Sequence, residues 1–300
     1  MLITGVLEFI LVELGALFPQ TEIGMDPVVV RDFSQAAEDL GYTHMAAYEH
    51  VLGANVDRPD RRDRHWPYTS ESAFYEPFSL FSYVAGITTR LGLVTAILIL
   101  PQRQTVLVAK QAATLDVLSG GRLRLGVGLG WNTIEYEALG ADFKNRGKRM
   151  EEQVELLRKL WTEPLVDFEG RWHRIPDAGI NPLPVQRPIP IWFGGAADQV
   201  LRRAARLADG WILAGRPTQE IADNVRRLHE YLREAGRDVA SFGIQGGIVM
   251  RDTTPDNWRR DYDAWTEIGA THVTVNTMNA NLGSPSAHID ALHRAKELLT

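Results

Sequence analysis

Short apolar runs of strand character recur along the chain, each followed by residues whose apolar positions return with helical spacing. The strand candidates are residues 12–18, 43–47, 91–97, 123–127, 189–193, 211–214, 242–250 and 272–275. Strands alternating with helices are the pattern of a parallel sheet covered by helices, and eight such units predict a (β/α)8 TIM barrel of the α/β class. The first helix is expected to open at "MDPVVV", with Asp26 as cap and Pro27 in the first turn. Val29, Phe33, Ala36 and Leu40 then share its apolar face and Gly41 ends it. The same spacing groups Met150, Val154, Leu157 and Trp161, and again Ile289, Leu292, Ala295 and Leu299. The helices expected at 105–118 and 198–208 are rich in alanine, which lets a helix lie close on a sheet.

Two segments interrupt the repeat and exceed ordinary loop length, residues 53–75 after the second strand and 166–188 before the fifth. The first reads as a solvated loop or an active-site lid. The second reads as a structural hairpin turning at Glu169-Gly170, followed by the proline-rich "NPLPVQRPIP". Residues 1–300 are therefore expected to form one barrel domain carrying two insertions.

Composition narrows the classes. Hydrophobic residues make up 45% and charged residues 23%, enough apolar material for a full core. The net charge of −6 and the scattered basic residues give no stripe for a phosphate backbone, so nucleic acid is not an expected partner. Glu8 and Glu13 interrupt the N-terminal apolar stretch, which lacks a basic lead and does not read as a signal peptide. The uncharged run 91–100 is about half of the roughly 20 residues a membrane span needs. The chain has no cysteine, which excludes disulfides and thiolate sites and fits a cytoplasmic protein.

In a barrel the search for chemistry narrows to the C-terminal strand ends. The second strand ends in "AYEHV", where Glu49 and His50 are adjacent, and histidine is the side chain best suited to proton transfer near neutral pH. The third has surplus apolar residues before Pro101, which a bulge near Thr95-Ala96-Ile97 would absorb. The fourth ends in "LGVGLGWN". Its Gly126, Gly128 and Gly130 lack the later glycine of a dinucleotide fingerprint, stand in the fourth unit, and have methionine at position 150 in place of an acid. What remains is bare backbone beside Trp131 and Asn132, open to a flat ring. The fifth strand ends in "IWFGGAADQV", placing Gly194, Gly195 and Ala196 before a helix whose first N–H groups favour an anion. Together these sites suggest a phosphorylated planar cofactor across the barrel mouth. No H-E-x-x-H, paired strand-end carboxylates or G-x-S-x-G is present, so a metal site, a glycosidase and a serine hydrolase are not expected.

These residues lie in a long stretch that resembles the luciferase-like monooxygenase superfamily, particularly its branch dependent on the deazaflavin coenzyme F420. The resemblance runs from Leu14 onward and is densest in "YEPFSLFSYVAGITTRLGLVTAILILPQRQTVLVAKQAATLDVLSGGRLRLGVGLGWNTIEYEALG" and "RPIPIWFGGAADQVLRRAARLADGWI". It implies a single luciferase-like barrel and a catalytic pair at Glu49 and His50, with glutamate where the branch more commonly has aspartate. It implies a cis peptide near Thr95-Ala96 behind the cofactor ring and ring contacts at Gly128, Gly130, Trp131 and Asn132. Phosphate contacts fall on Gly194, Gly195 and Ala196, and Arg216 is the expected partner of the anionic tail. The reaction so implied is hydride transfer between a small organic substrate and F420. An FMN-dependent monooxygenase supplied by a flavin reductase is the alternative, and a noncatalytic flavin-binding protein the third reading. A homodimer is expected by the same resemblance.

Overall fold

The computed structural model describes residues 12–58, 67–213 and 215–300. In chain order its elements are β1 (Glu13–Leu17), α1 (Pro27–Asp39), β2 (His44–Ala47), α2 (Pro77–Ile87), β3 (Gly92–Thr95), β4 (Leu98–Ile99), α3 (Thr105–Ser119) and β5 (Leu123–Gly128). They continue with α4 (Thr133–Ala138), α5 (Arg146–Thr162), β6 (Val166–Glu169), β7 (Arg174–Ala178), β8 (Ile191–Gly194) and α6 (Asp198–Leu207). The last are β9 (Gly210–Ile212), α7 (Gln219–Glu234), β10 (Gly243–Val249), α8 (Pro255–Glu267), β11 (His272–Asn276) and α9 (Pro285–Leu299).

The large sheet runs β3-β2-β1-β11-β10-β9-β8-β5-β4 with every pair parallel, and β3 also pairs with β5. It closes into a barrel of eight staves, the third made of β3 and β4 together. Val94 faces Arg124 and Leu98 faces Val127, so four steps on the third stave span three on β5. The extra residue is the expected bulge. Its cis peptide joins Ala96 to Ile97, one bond after the expected Thr95-Ala96.

Helices cover the outside, and the main core lies between them and the barrel, with Phe33, Phe81, Trp161, Trp211 and Trp265 fully buried there. Inside the barrel a smaller apolar cluster joins Leu17, Ala46, Val94, Trp192, Ile212 and Met278. Glycines make space for the large rings around it. A Cβ on Gly15 would lie 2.1 Å from the His44 ring, and one on Gly243 2.1 Å from Trp192.

Asp26 caps α1 by accepting from Val28 N, as its sequence position predicts. The buried face of α1 is Val30, Phe33, Ser34 and Ala37; Phe33 is on it as expected, while Val30 and Ala37 take the place of Val29 and Ala36, which with Leu40 stay partly buried. Ser34 hides its hydroxyl by donating to the Val30 carbonyl at 2.7 Å, so a polar residue joins the inner face. Met150, Val154, Leu157 and Trp161 all point inward on α5. The expected hairpin is the antiparallel pair β6-β7. Glu152 of α5 anchors it, accepting from the backbone N–H of Arg171, Trp172 and His173 and from His173 Nδ1. Among the described residues no helix is long and apolar enough to cross a membrane.

Candidate active site

Two adjoining cavities open at the C-terminal ends of the staves and share Tyr48, Ala96 and Ile212. One is a cleft of about 350 Å³ walled by Gly128, Gly130 and Trp131 on one side and Gly194 and Gly195 on the other, with Glu49, His50, Ala96 and Ile97 between. The second, of about 210 Å³, sinks toward Gln245 and Thr274 beneath Asn276, Met278 and Arg251.

The glycines of the cleft have a double cause. A Cβ on Gly126 would meet the Thr95 carbonyl at 1.9 Å, and Cβ atoms on Gly128 and Gly194 would each meet the Ile97 side chain at 2.7 Å. They make room first for the bulge, and the bulge then presents Ala96 and Ile97 to the cleft. Gly130 and Gly195 have φ of +64° and +112°, backbone that other residues rarely adopt. Beyond Gly195, the N-cap of α6 is Ala197, which offers no side-chain cap, so the first turn keeps free N–H groups near the cleft. This fits the phosphate of a flavin-type cofactor, and the bare walls fit its flat ring.

His50 lies deep in this arrangement. Its ring stacks on Tyr68 at 3.7 Å and meets the edges of Phe74 and Trp131 at 4.9 and 6.0 Å. Nδ1 is 3.3 Å from Oε1 of Glu135, a carboxylate with no exposed surface that also accepts from Val51 N at 2.8 Å. Asn132 caps α4 through Ile134 N and donates to the Tyr68 hydroxyl at 2.6 Å. Burial pushes the Tyr68 phenol up, and the nearby Glu135 charge adds to this while the Asn132 bond opposes it. The phenol therefore stays neutral.

Glu49 lines the cleft but spends its oxygens elsewhere. Oε2 accepts from Ile99 N and Oε1 from the Arg103 guanidinium, which reaches on to Glu76 at 3.0 Å. Burial pushes its carboxyl upward, against the pull of Arg103 and the Ile99 N–H. Its place is to tie the second stave to the third beside His50.

Of the expected residues, His50, Glu49, Ala96, Gly128, Gly130, Trp131, Gly194 and Gly195 converge on the cleft. Thr95 is fully buried, donating to the Gly126 carbonyl at 2.7 Å, and is not among the residues lining either cavity. Asn132 is buried behind Tyr68, and Ala196 is exposed beyond the lining. Arg216 turns away from the phosphate end. It donates to the Arg251 carbonyl at 2.9 Å and lies 3.8 Å from Asp261. Of the long loop after β2, residues 59–66 fall outside the described residues, while Tyr68 and Phe74 pack on His50. Sequence reasoning missed Tyr68, Phe74, Arg103 and Glu135. Only Glu135 carried a signal, an acid three residues after the capping asparagine, where a capping box would turn it back to its own helix.

The chain as a whole matches known proteins. The luciferase-like monooxygenase family covers residues 9–299, and the chain belongs to it. Its relatives include an uncharacterized protein of Mycobacterium tuberculosis, 38% identical over 68% of this chain and 71% of that one. The F420-dependent glucose-6-phosphate dehydrogenase of Segniliparus rotundus is 30% identical over 78% of this chain and 67% of its own length. The FMNH2-dependent dimethylsulfone monooxygenase of Pseudomonas putida is 30% identical over 60% and 50%. Among solved structures, the monooxygenase RslO1 of Streptomyces bottropensis superposes with a TM-score of 0.78 at 20% identity, covering 96% of this chain and 98% of that one. An F420-dependent secondary alcohol dehydrogenase gives 0.78 at 16% over 96% and 99%. At these identities the two structures speak for the fold.

Proposed function

We propose that the protein is an oxidoreductase that moves a hydride between a small organic substrate and coenzyme F420. The observation that carries this reading is His50, a histidine held by a buried carboxylate at the edge of a cleft with glycine walls. The F420-dependent relative supports the choice of cofactor, because its likeness spans 78% of the chain against 60% for the FMN-dependent one.

Gly128, Gly130, Gly194 and Gly195 would hold the ring and the first turn of α6 the phosphate. The deazaflavin supplies a carbon that takes or gives hydride and reacts poorly with oxygen. His50 handles the accompanying proton. Glu135 faces Nδ1, which leaves Nε2 to accept the proton of a substrate hydroxyl as its carbon gives up hydride. Stacked Tyr68 and the edges of Phe74 and Trp131 would shield the imidazole from water. The second cavity, lined by Gln245, Thr274, Asn276 and Asn279 without a carboxylate, is the proposed place of the substrate.

One observation favours FMN. Arg216 is engaged by backbone carbonyls and Asp261, and the α6 terminus alone suits a simple phosphate better than the longer anionic tail of F420. On that reading the protein is a monooxygenase fed by a separate flavin reductase, and His50 protonates oxygen chemistry. A purely binding role leaves the His50–Glu135 pair without a purpose. Fluorescence titration of the apo-protein with each cofactor decides. Selective micromolar binding of F420 is expected, selective binding of FMN overturns the choice, and binding of neither removes both enzymatic readings.

A further inference from the structure

The closed end of the barrel contains a histidine that the mechanism does not use. His44 starts β2, points into the barrel and is almost fully buried. Its Nε2 lies 3.1 Å from Thr274 Oγ1, and Thr274 lines the floor of the second cavity. Its Nδ1 lies 3.0 Å from Thr43 Oγ1, and Thr43 is exposed at an opening on the opposite end of the barrel. One imidazole thus bridges the cavity and outside water through two hydroxyls.

The neighbouring bonds give this bridge a direction. The Thr43 hydroxyl donates to the Leu14 carbonyl at 3.2 Å or to the half-exposed carboxylate of Glu13, and in that arrangement its oxygen accepts from His44. That arrangement carries the proton on Nδ1 and uses Nε2 as the acceptor for Thr274 O–H, the tautomer on which the path rests. Thr274 in turn accepts from Gln245 Nε2 at 2.9 Å. Every donor on the path points away from the cavity.

The surroundings keep the imidazole neutral, as a relay requires. Burial lowers its pKa well below the ordinary value, and the charge of Arg124 and the nearby His272 lower it further. Arg124 lies over Trp192 and donates to Gln245, while His272 meets His44 edge-on at 5.6 Å and pairs with Glu13. Gly15 leaves the ring its place.

We propose that Thr274, His44 and Thr43 form a proton path from the deep cavity to solvent at the closed end of the barrel. A proton arriving at the Thr274 oxygen sends the Thr274 proton to His44 Nε2, and the Nδ1 proton leaves through Thr43 to Glu13 or water. One proton enters and one leaves, with no change of redox state. On the hydride-transfer reading, on which only the second measurement below rests, this carries to solvent the proton that His50 first takes from the substrate hydroxyl.

The first measurement needs no cofactor. Nitrogen-15 NMR of the apo-protein is expected to show His44 protonated on Nδ1, with solvent exchange of that proton slowed about tenfold or more in Thr43→Val. A proton on Nε2, or equal exchange in both proteins, overturns the path. In the loaded enzyme, Thr43→Val and Thr274→Val are each expected to lower turnover about tenfold and to change the solvent isotope effect, with cofactor affinity preserved. An unchanged isotope effect in both variants also overturns it. Absence of turnover in the unsubstituted enzyme would instead count against the proposed reaction, and the NMR result would still decide on the path.

Discussion

His50 Nδ1 lies 3.3 Å from Glu135 Oε1, and the Glu135 side chain has no exposed surface. The same oxygen accepts the Val51 N–H, so the carboxylate fixes both the ring and the backbone that follows it. Glu135→Gln puts an uncharged group where the imidazole gains positive charge. We expect kcat to fall about a hundredfold, the lower end of what positioned proton transfer contributes. Cofactor affinity should change little, because Glu135 is not among the residues lining the cleft. Equal losses in kcat and cofactor binding would make Glu135 merely structural. His50→Ala is expected to abolish turnover with the same sparing of binding.

Glu49 and Arg103 form a second buried relationship, with consequences for folding. Removing one member leaves an uncompensated charge, at a cost of about 3–5 kcal/mol. Arg103→Met should therefore lower the urea midpoint sharply, and adding Glu49→Gln should recover most of the loss. A double variant no more stable than Arg103→Met would show that the pair matters for packing alone.

Eight β-α units, their order and the strand-end location of the candidate site were all legible, because strands buried on both faces read as short continuous apolar runs and helices repeat their apolar positions with a period of 3.6. The slip on α1 arose because Ser34 hides its hydroxyl against Val30, which a reading by apolarity alone cannot anticipate. The partners of His50 were less legible. Tyr68 and Glu135 are separated from it by 18 and 85 positions; the fold of the loop after β2 returns Tyr68, and the pairing of β2 with β3 and β3 with β5 brings Glu135 near. Glu49 shows the converse, since a carboxylate at a strand end reads as chemistry until Arg103, 54 residues on, is seen to engage it.

Acid should destabilise the protein earlier than its carboxylates require. Burial lowers the pKa of His44, His272 and His288 from the ordinary 6.5. The unfolded chain therefore binds more protons than the native one below that value, and stability rises with pH there. These contributions are complete above pH 6.5 and are lost as pH falls toward the folded values, at up to about 1.4 kcal/mol per unit for each group. The depressed carboxyls of Glu13 and Glu152 add losses only below 4.5. Urea midpoints should be level between pH 7 and 8 and fall between 6.5 and 5. A midpoint unchanged down to pH 5 contradicts this account.

Gly128 and Gly194 each face Ile97 at distances a Cβ cannot share. Gly194→Ala must push Ile97 into the cleft or move the strand, and we expect cofactor affinity to drop about tenfold or more, about 1.4 kcal/mol. Shortening Ile97 to alanine in the same chain removes the clash, so the double variant should bind more tightly than Gly194→Ala. Isothermal titration of the three proteins tests this, and additive losses would place the role of Gly194 elsewhere.

We propose that the outer side of α3 carries the contact of the homodimer that the family resemblance implies. Val106, Leu107, Val117 and Leu118 of this helix are all exposed, with Leu118 at 64%, and Tyr83 is exposed on α2, which packs beside it. Exposed apolar pairs at both ends of one helix face, with Tyr83 on its neighbour, suit a surface that another chain covers. A second copy of the same chain fits because such a face can be self-complementary about a two-fold axis. Light scattering should give twice the 33.6 kDa chain mass. Leu107→Glu with Leu118→Glu should yield a monomer that keeps its barrel circular dichroism, and a variant that remains dimeric would assign the interface to another face.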